Sequence, residues 1–117
     1  MIRILILIII LAATPAEIVH PQESQNPDCA KVSVTCPEEL DLTTPLKFIA
    51  KVVGGKRYGE VTYNWTVSKG TISWGQGTST IEVDLKGEDC RGLTATVEVG
   101  GTDPSCSHNA SCSVCTR

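Results

Sequence analysis

Apolar side chains recur at every second position in five separate runs of this 117-residue chain. KVSVTC alternates Val32, Val34 and Cys36 with polar partners, and LKFIAKVV puts Leu46, Phe48, Ala50 and Val52 on one side. VTYNWTV does the same with Val61, Tyr63, Trp65 and Val67, TIEVDLK with Ile81, Val83 and Leu85, and LTATVEV with Leu93, Ala95, Val97 and Val99. A period of two is what a strand with one buried and one wet face produces. Turn signals separate the runs: GGKRYG, SKG, GQG, KGEDCRG and GGTDP. No segment of about ten residues carries helical spacing with a cap. Short strands joined by regular turns predict an all-β, antiparallel β-sandwich of two sheets. Each strand sends in three or four side chains, about eighteen in all. So small a core leaves room for cross-links to matter.

The opening segment breaks this pattern. MIRILILIIILAATPA has one Arg near its start, an unbroken apolar run from Ile4 to Ala13, and small residues ending at Ala16. It is too short to span a bilayer and has the three-part layout of a secretory signal peptide, with cleavage expected after Ala16 or, failing that, after Ala13. An uncleaved membrane anchor is the alternative. No Cys follows the apolar run, which argues against lipid attachment. Residues 17–28, polar, proline-bearing and aperiodic, read as a flexible lead-in to a domain over residues 29–117. Removing residues 1–16 takes away Arg3 alone and moves the net charge from −3 to −4. Basic residues are scattered apart from Lys56-Arg57, so the basic patch that nucleic-acid binding requires is missing. After signal removal no segment is left that could hold the chain in a membrane.

The six cysteines, Cys29, Cys36, Cys90, Cys106, Cys112 and Cys115, follow an export signal, a setting in which an even count reads as three disulfides. Two other chemistries use the same residues. Cys106, His108, Cys112 and Cys115 form a set that could bind zinc, but not at the spacing of a common zinc module. Cys112 and Cys115 have C-x-x-C spacing, without the following helix that lowers a redox thiol's pKa. The acidic pairs Glu38-Glu39 and Glu88-Asp89 lack a calcium-loop motif. His20 and His108 have no nucleophile placed beside them by sequence. The chain reads as a non-enzyme with no cofactor.

The two tryptophans differ in setting. Trp65 lies mid-run between Tyr63 and Val67, where a large ring fills the gap between two sheets. Trp74 is flanked by Ser73, Gly75 and Gly77 on what reads as a loop. There it either stacks on a sugar or anchors a protein partner, or folds back to cap a sheet edge. Tyr58, beside Lys56 and Arg57, is a second candidate contact residue. Asn64-Trp65-Thr66 and Asn109-Ala110-Ser111 are acceptor sequons for N-glycosylation, with Asn64 pointing outward by the alternation.

Tyr63-Asn-Trp-Thr-Val-Ser68, Gly75-Gln-Gly-Thr78 and Asp103-Pro-Ser-Cys106 resemble the PKD-like, immunoglobulin-like modules of exported bacterial proteins. The resemblance covers about residues 29–114 and implies a single sandwich of about seven strands. Three features depart from the pattern. Trp65-Thr66-Val67-Ser68-Lys69-Gly70 stands where the namesake repeats carry Trp-Asp-Phe-Gly-Asp-Gly, Trp74 replaces a small polar residue, and Cys90 and Cys115 are additions. In this fold the first strand often runs parallel to the last. The spacings Cys29–Cys36 and Cys106–Cys112 nearly match, which pairs Cys29 with Cys106 and Cys36 with Cys112. A turn at Gly101–Pro104 would set Cys90 opposite Cys115. The resemblance implies an extracellular interaction or spacer module and names no ligand. The chain itself reads as a secreted or cell-envelope interaction module that binds an extracellular polysaccharide or surface protein through loops or an exposed strand face. Its alternative is a structural spacer with no ligand. If the host is bacterial, the sequons are incidental.

Overall fold

The computed structural model describes residues 28–115. The expected signal segment 1–16, the expected lead-in up to residue 27 and the last two residues lie outside them. Seven strands form without a helix among the described residues: β1 (Lys31–Thr35), β2 (Leu46–Val53), β3 (Arg57–Val67), β4 (Thr71–Trp74), β5 (Thr80–Asp84), β6 (Leu93–Thr102) and β7 (Asn109–Val114). They build a four-stranded sheet in the order β1-β2-β5-β4 and a three-stranded sheet in the order β3-β6-β7. Every pairing is antiparallel. This is the strand order of a constant-type immunoglobulin sandwich.

All the inward positions read from the alternation lie in the core or against it. Phe48, Trp65, Ile81, Val83, Leu93, Ala95 and Val97 are almost wholly buried, and they come from the middle strands of both sheets and from β3. Val32 and Val34 are only half-buried, because β1 is an edge strand. Trp65 is a core residue, 1 % exposed, as its setting predicts. Its indole N–H donates to the Thr78 carbonyl at 2.8 Å, which meets the polar need of a buried ring.

Gln76 explains the Gly-Gln-Gly turn. Its side-chain amide accepts from the Trp65 N–H at 2.8 Å and donates to the Trp65 carbonyl at 2.9 Å. β3 is an edge strand, so these backbone groups have no neighbouring strand to pair with. A glutamine from the β4–β5 turn therefore acts as a one-residue strand, joining the four-stranded sheet to the open edge of the other. Gly75 makes that approach geometrically feasible. It sits at φ +92°, and a Cβ there would lie 2.0 Å from the Thr80 carbonyl oxygen.

Three disulfides lock the sandwich: Cys29–Cys106, Cys36–Cys112 and Cys90–Cys115. These are the pairs the spacing proposes, but the register behind one of them is different. β6 pairs β7 with Leu93 opposite Val114 and Glu98 opposite Asn109. Cys90 and Cys115 thus lie just past the paired segment instead of facing each other within it. The turn is not at Gly101–Pro104 either, since β6 runs on to Thr102, which pairs with Arg57. Gly100 and Gly101 are strand residues where β3 bulges. A Cβ on Gly101 would strike the Glu60 carbonyl at 2.2 Å, so the glycine marks close strand packing and not a reversal.

Candidate functional site, the outer face of the four-stranded sheet

Trp74 is the last residue of an edge strand, not part of a loop. Ile72 pairs with Val83 and faces the core, so regular alternation would turn Trp74 inward too. A bulge prevents this. The register slips between Ile72 and Trp74, and Trp74 lies opposite Glu82, whose neighbours Ile81 and Val83 point to the core. Paired residues share a face of the sheet, so the extra residue, Ser73, re-aims the indole outward. Ser73 Oγ donates to the Glu82 carbonyl at 3.3 Å, within the bulge itself. The ring is 61 % exposed, the most of any large apolar side chain among the described residues.

The registers set the neighbours. Trp74, Glu82 and Lys47 form one row across β4, β5 and β2. Thr80, Ile49 and Thr35 form the next across β5, β2 and β1. Lys51 then pairs with Ser33, and Val53 with Lys31. Ile49 and Val53 are exposed apolar residues on this face. A groove of about 610 Å³ runs from Lys51 and Val53 of β2 across Lys31 and Ser33 of β1 to Ser107 and to Asn109 at the start of β7.

Charge is divided unevenly. The outward positions of β1 and β2 carry Lys31, Lys47 and Lys51 and no carboxylate. The ion pairs among the described residues are Lys69–Asp89, Arg91–Asp89 and His108–Glu98, and none of them engages these three lysines. Asp84, the other acidic group on this side, accepts the Lys86 N–H at 2.8 Å and is occupied in a turn.

Tyr58 does not join this site. It lies in β3, in the other sheet, 55 % exposed, with Lys56 Nζ 5.6 Å from its ring centroid. Sequence alone placed both rings on loops, and the structure puts each on a strand of a different sheet.

The outer face of the three-stranded sheet is mostly small and polar. Asn64, Glu98 and Asn109 share a row, so both sequon asparagines are exposed on this face. His108 stands beside them, with Nδ1 3.1 Å from the Cys106 carbonyl and Nε2 3.6 Å from Glu98. Asp103 opens the loop before it. The Ser105 N–H and hydroxyl hold its carboxyl below the ordinary range.

The alternative cysteine chemistries do not survive. Cys106, Cys112 and Cys115 each bond to a cysteine of another segment, so neither a zinc set with His108 nor a Cys112–Cys115 redox pair is formed. Among the described residues no three His, Cys, Asp or Glu side chains are grouped to hold a metal. Sequence reasoning missed Gln76 and the bulge at Ser73. The only signal for either was the glycine pair at 75 and 77, which marks a tight turn without showing what it holds. No family model matches the chain, and no curated protein or solved structure matches it either.

Proposed function

We propose that this chain is an exported, non-catalytic interaction module, related to the PKD-like domains it resembles, whose outer four-stranded face meets an extracellular polysaccharide or surface protein. The observation that carries the reading is the bulge at Ser73, which turns a large aromatic ring away from the core and into water. Holding an indole in solvent forgoes the stability that its burial would bring. A spacer gains nothing from that arrangement, whereas a flat ring on the polar outer face, next to Glu82 and Thr80 of β5, suits stacking against a sugar. Three intramolecular disulfides are typical of an oxidising compartment, which agrees with export.

The test is fluorescence of the oxidised chain titrated with soluble plant and cell-wall polysaccharides, beside a Trp74→Phe variant. Trp65 is buried, so a ligand-induced change should come from the indole of Trp74. A saturable change that disappears in the variant supports the reading. A silent titration, together with no Trp74-dependent capture of envelope proteins, would leave the domain a spacer.

A further inference from the structure

The lysine band shows what kind of polymer this face would take. We infer that the ligand is an anionic polysaccharide, lying across β4, β5, β2 and β1 with its sugar face on Trp74 and its acid groups on Lys47, Lys51 and Lys31. This rests on the reading of the face as a binding surface and adds the charge of the partner.

The geometry favours an extended polymer over a small anion. Lys47 and Lys51 are four residues apart on one strand, about 13 Å. Lys31 lies diagonal to Lys51, one strand over. Trp74 is two strands from Lys47, about 10 Å. No single carboxylate or phosphate reaches all four, but a chain carrying an acid at intervals does. The whole chain is net acidic at −3, yet these three cations have no ion-pair partner among the described residues. The carboxylates in the paired rows of this face, Glu82 and Asp84, both lie on β5, so the three lysines leave β1 and β2 net positive, which suits an anion. The seam groove extends the track, adding the Ser33 and Ser107 hydroxyls and the Asn109 amide as hydrogen-bonding groups. Ile49, between Lys47 and Lys51, and Val53, opposite Lys31, provide apolar area for sugar C–H faces. Glu82 lies opposite both Trp74 and Lys47 and works against a polyanion, which sets the acid groups over β2 and β1.

The experiment uses the oxidised full chain with polygalacturonate, alginate and hyaluronate, and with fully methyl-esterified polygalacturonate as an uncharged match. Binding is measured by calorimetry at low and physiological salt. The expected result is binding to the acidic polymers that weakens with salt, with the ester bound far less. Replacing Lys31, Lys47 and Lys51 by Gln should weaken it about tenfold, taking about 0.5 kcal/mol per exposed pair. Glu82→Gln should strengthen it. A charge-matched control, Lys56, Lys86 and Arg91 to Gln, should change it little, with circular dichroism checking the fold of each variant. If the ester binds as well as the acid and Trp74→Ala abolishes both, the module reading stands and the anionic ligand is overturned. Equal weakening by the control set would overturn the lysine band as the site. Binding to none of the polymers would overturn the inference, and Trp74-dependent capture of a protein would then identify the other class of partner.

Discussion

Replacing Gln76 tests how the two sheets are joined at the open edge of β3. Gln76→Ala removes two hydrogen bonds, of 2.8 and 2.9 Å, to the backbone of the buried Trp65. Each is worth about 0.5–1.5 kcal/mol, and a backbone group left without water costs more. The expected loss is about 2–3 kcal/mol, which lowers Tm by roughly 10–20 °C in a domain of this size. Gln76→Glu separates hydrogen bonding from packing. As a carboxylate it still accepts from the Trp65 N–H but faces the Trp65 carbonyl without a donor, so at pH 7 it should cost at least as much as alanine. As a neutral acid it again has one donor and one acceptor. The folded state therefore favours the protonated form and raises the pKa of this side chain above its unfolded value of about 4.3. The folded state binds the extra proton, so the lost stability returns as pH falls through the raised pKa. Asp41, Asp89 and Asp103 have lowered pKa values, so their own contributions are lost mainly below about pH 4, and the effect of the glutamate is read as the difference from wild type at the same pH. The assay is guanidinium unfolding with disulfides intact, followed by circular dichroism at pH 7 and 4.5. An alanine cost below about 0.5 kcal/mol, or a glutamate variant indifferent to pH, would refute the role given to Gln76.

Two further predictions concern the cross-links and the loop before β6. Cys29–Cys106 and Cys36–Cys112 each close a long loop, with separations of 77 and 76 residues, but the two loops are interlaced and share most of their length. With either in place, the other closes only the short ring of β1 and β7, so removing one should cost about 3 kcal/mol and removing both about 7, measured by unfolding of the Cys→Ala pairs. Equal steps of about 4.5 kcal/mol would mean that the bridges act independently. Asp89 accepts from Lys69 Nζ at 2.9 Å and from the Arg91 N–H at 3.0 Å, and these hold its pKa near 2 instead of 3.8. Its contribution is whole above about 3.8 and fades as pH falls through about 2. A carboxyl NMR titration should give that midpoint and move upward in Lys69→Gln. A wild-type midpoint near 3.8 would contradict the contact.

The alternation made most of the fold legible. Strands such as β2 and β6 bury one face against a neighbour, and that demand writes a period of two into the residues. β4 was illegible for the same physical reason. It is a four-residue edge strand that sends only Ile72 inward, and the bulge at Ser73 cancels the period just where Trp74 would have shown it. The ends of β3 and β6 are hidden in the sequence because the glycines of GGKRYG and GGTDP signal turns. In the structure Gly54-Gly55 do lie at a turn, but Gly59 lies within β3, and Gly100-Gly101 lie within β6, where Gly101 is pressed against Glu60. The face around Trp74 was half legible. The lysines are visible in the sequence as single scattered charges, and only the β1–β2–β5 register brings them to one side.

The disulfide arrangement also fixes how the domain would carry tension. A pull applied at Cys29 and at Cys115 travels through the Cys29–Cys106 bridge and then along β7, which is already extended. The shortest covalent route between those points is one bridge and nine peptide units, about 35 Å when taut. Fully reduced, the same two points could separate by about 290 Å. Even if every hydrogen bond failed under load, the oxidised domain would lengthen by very little, so it would behave as a nearly inextensible link.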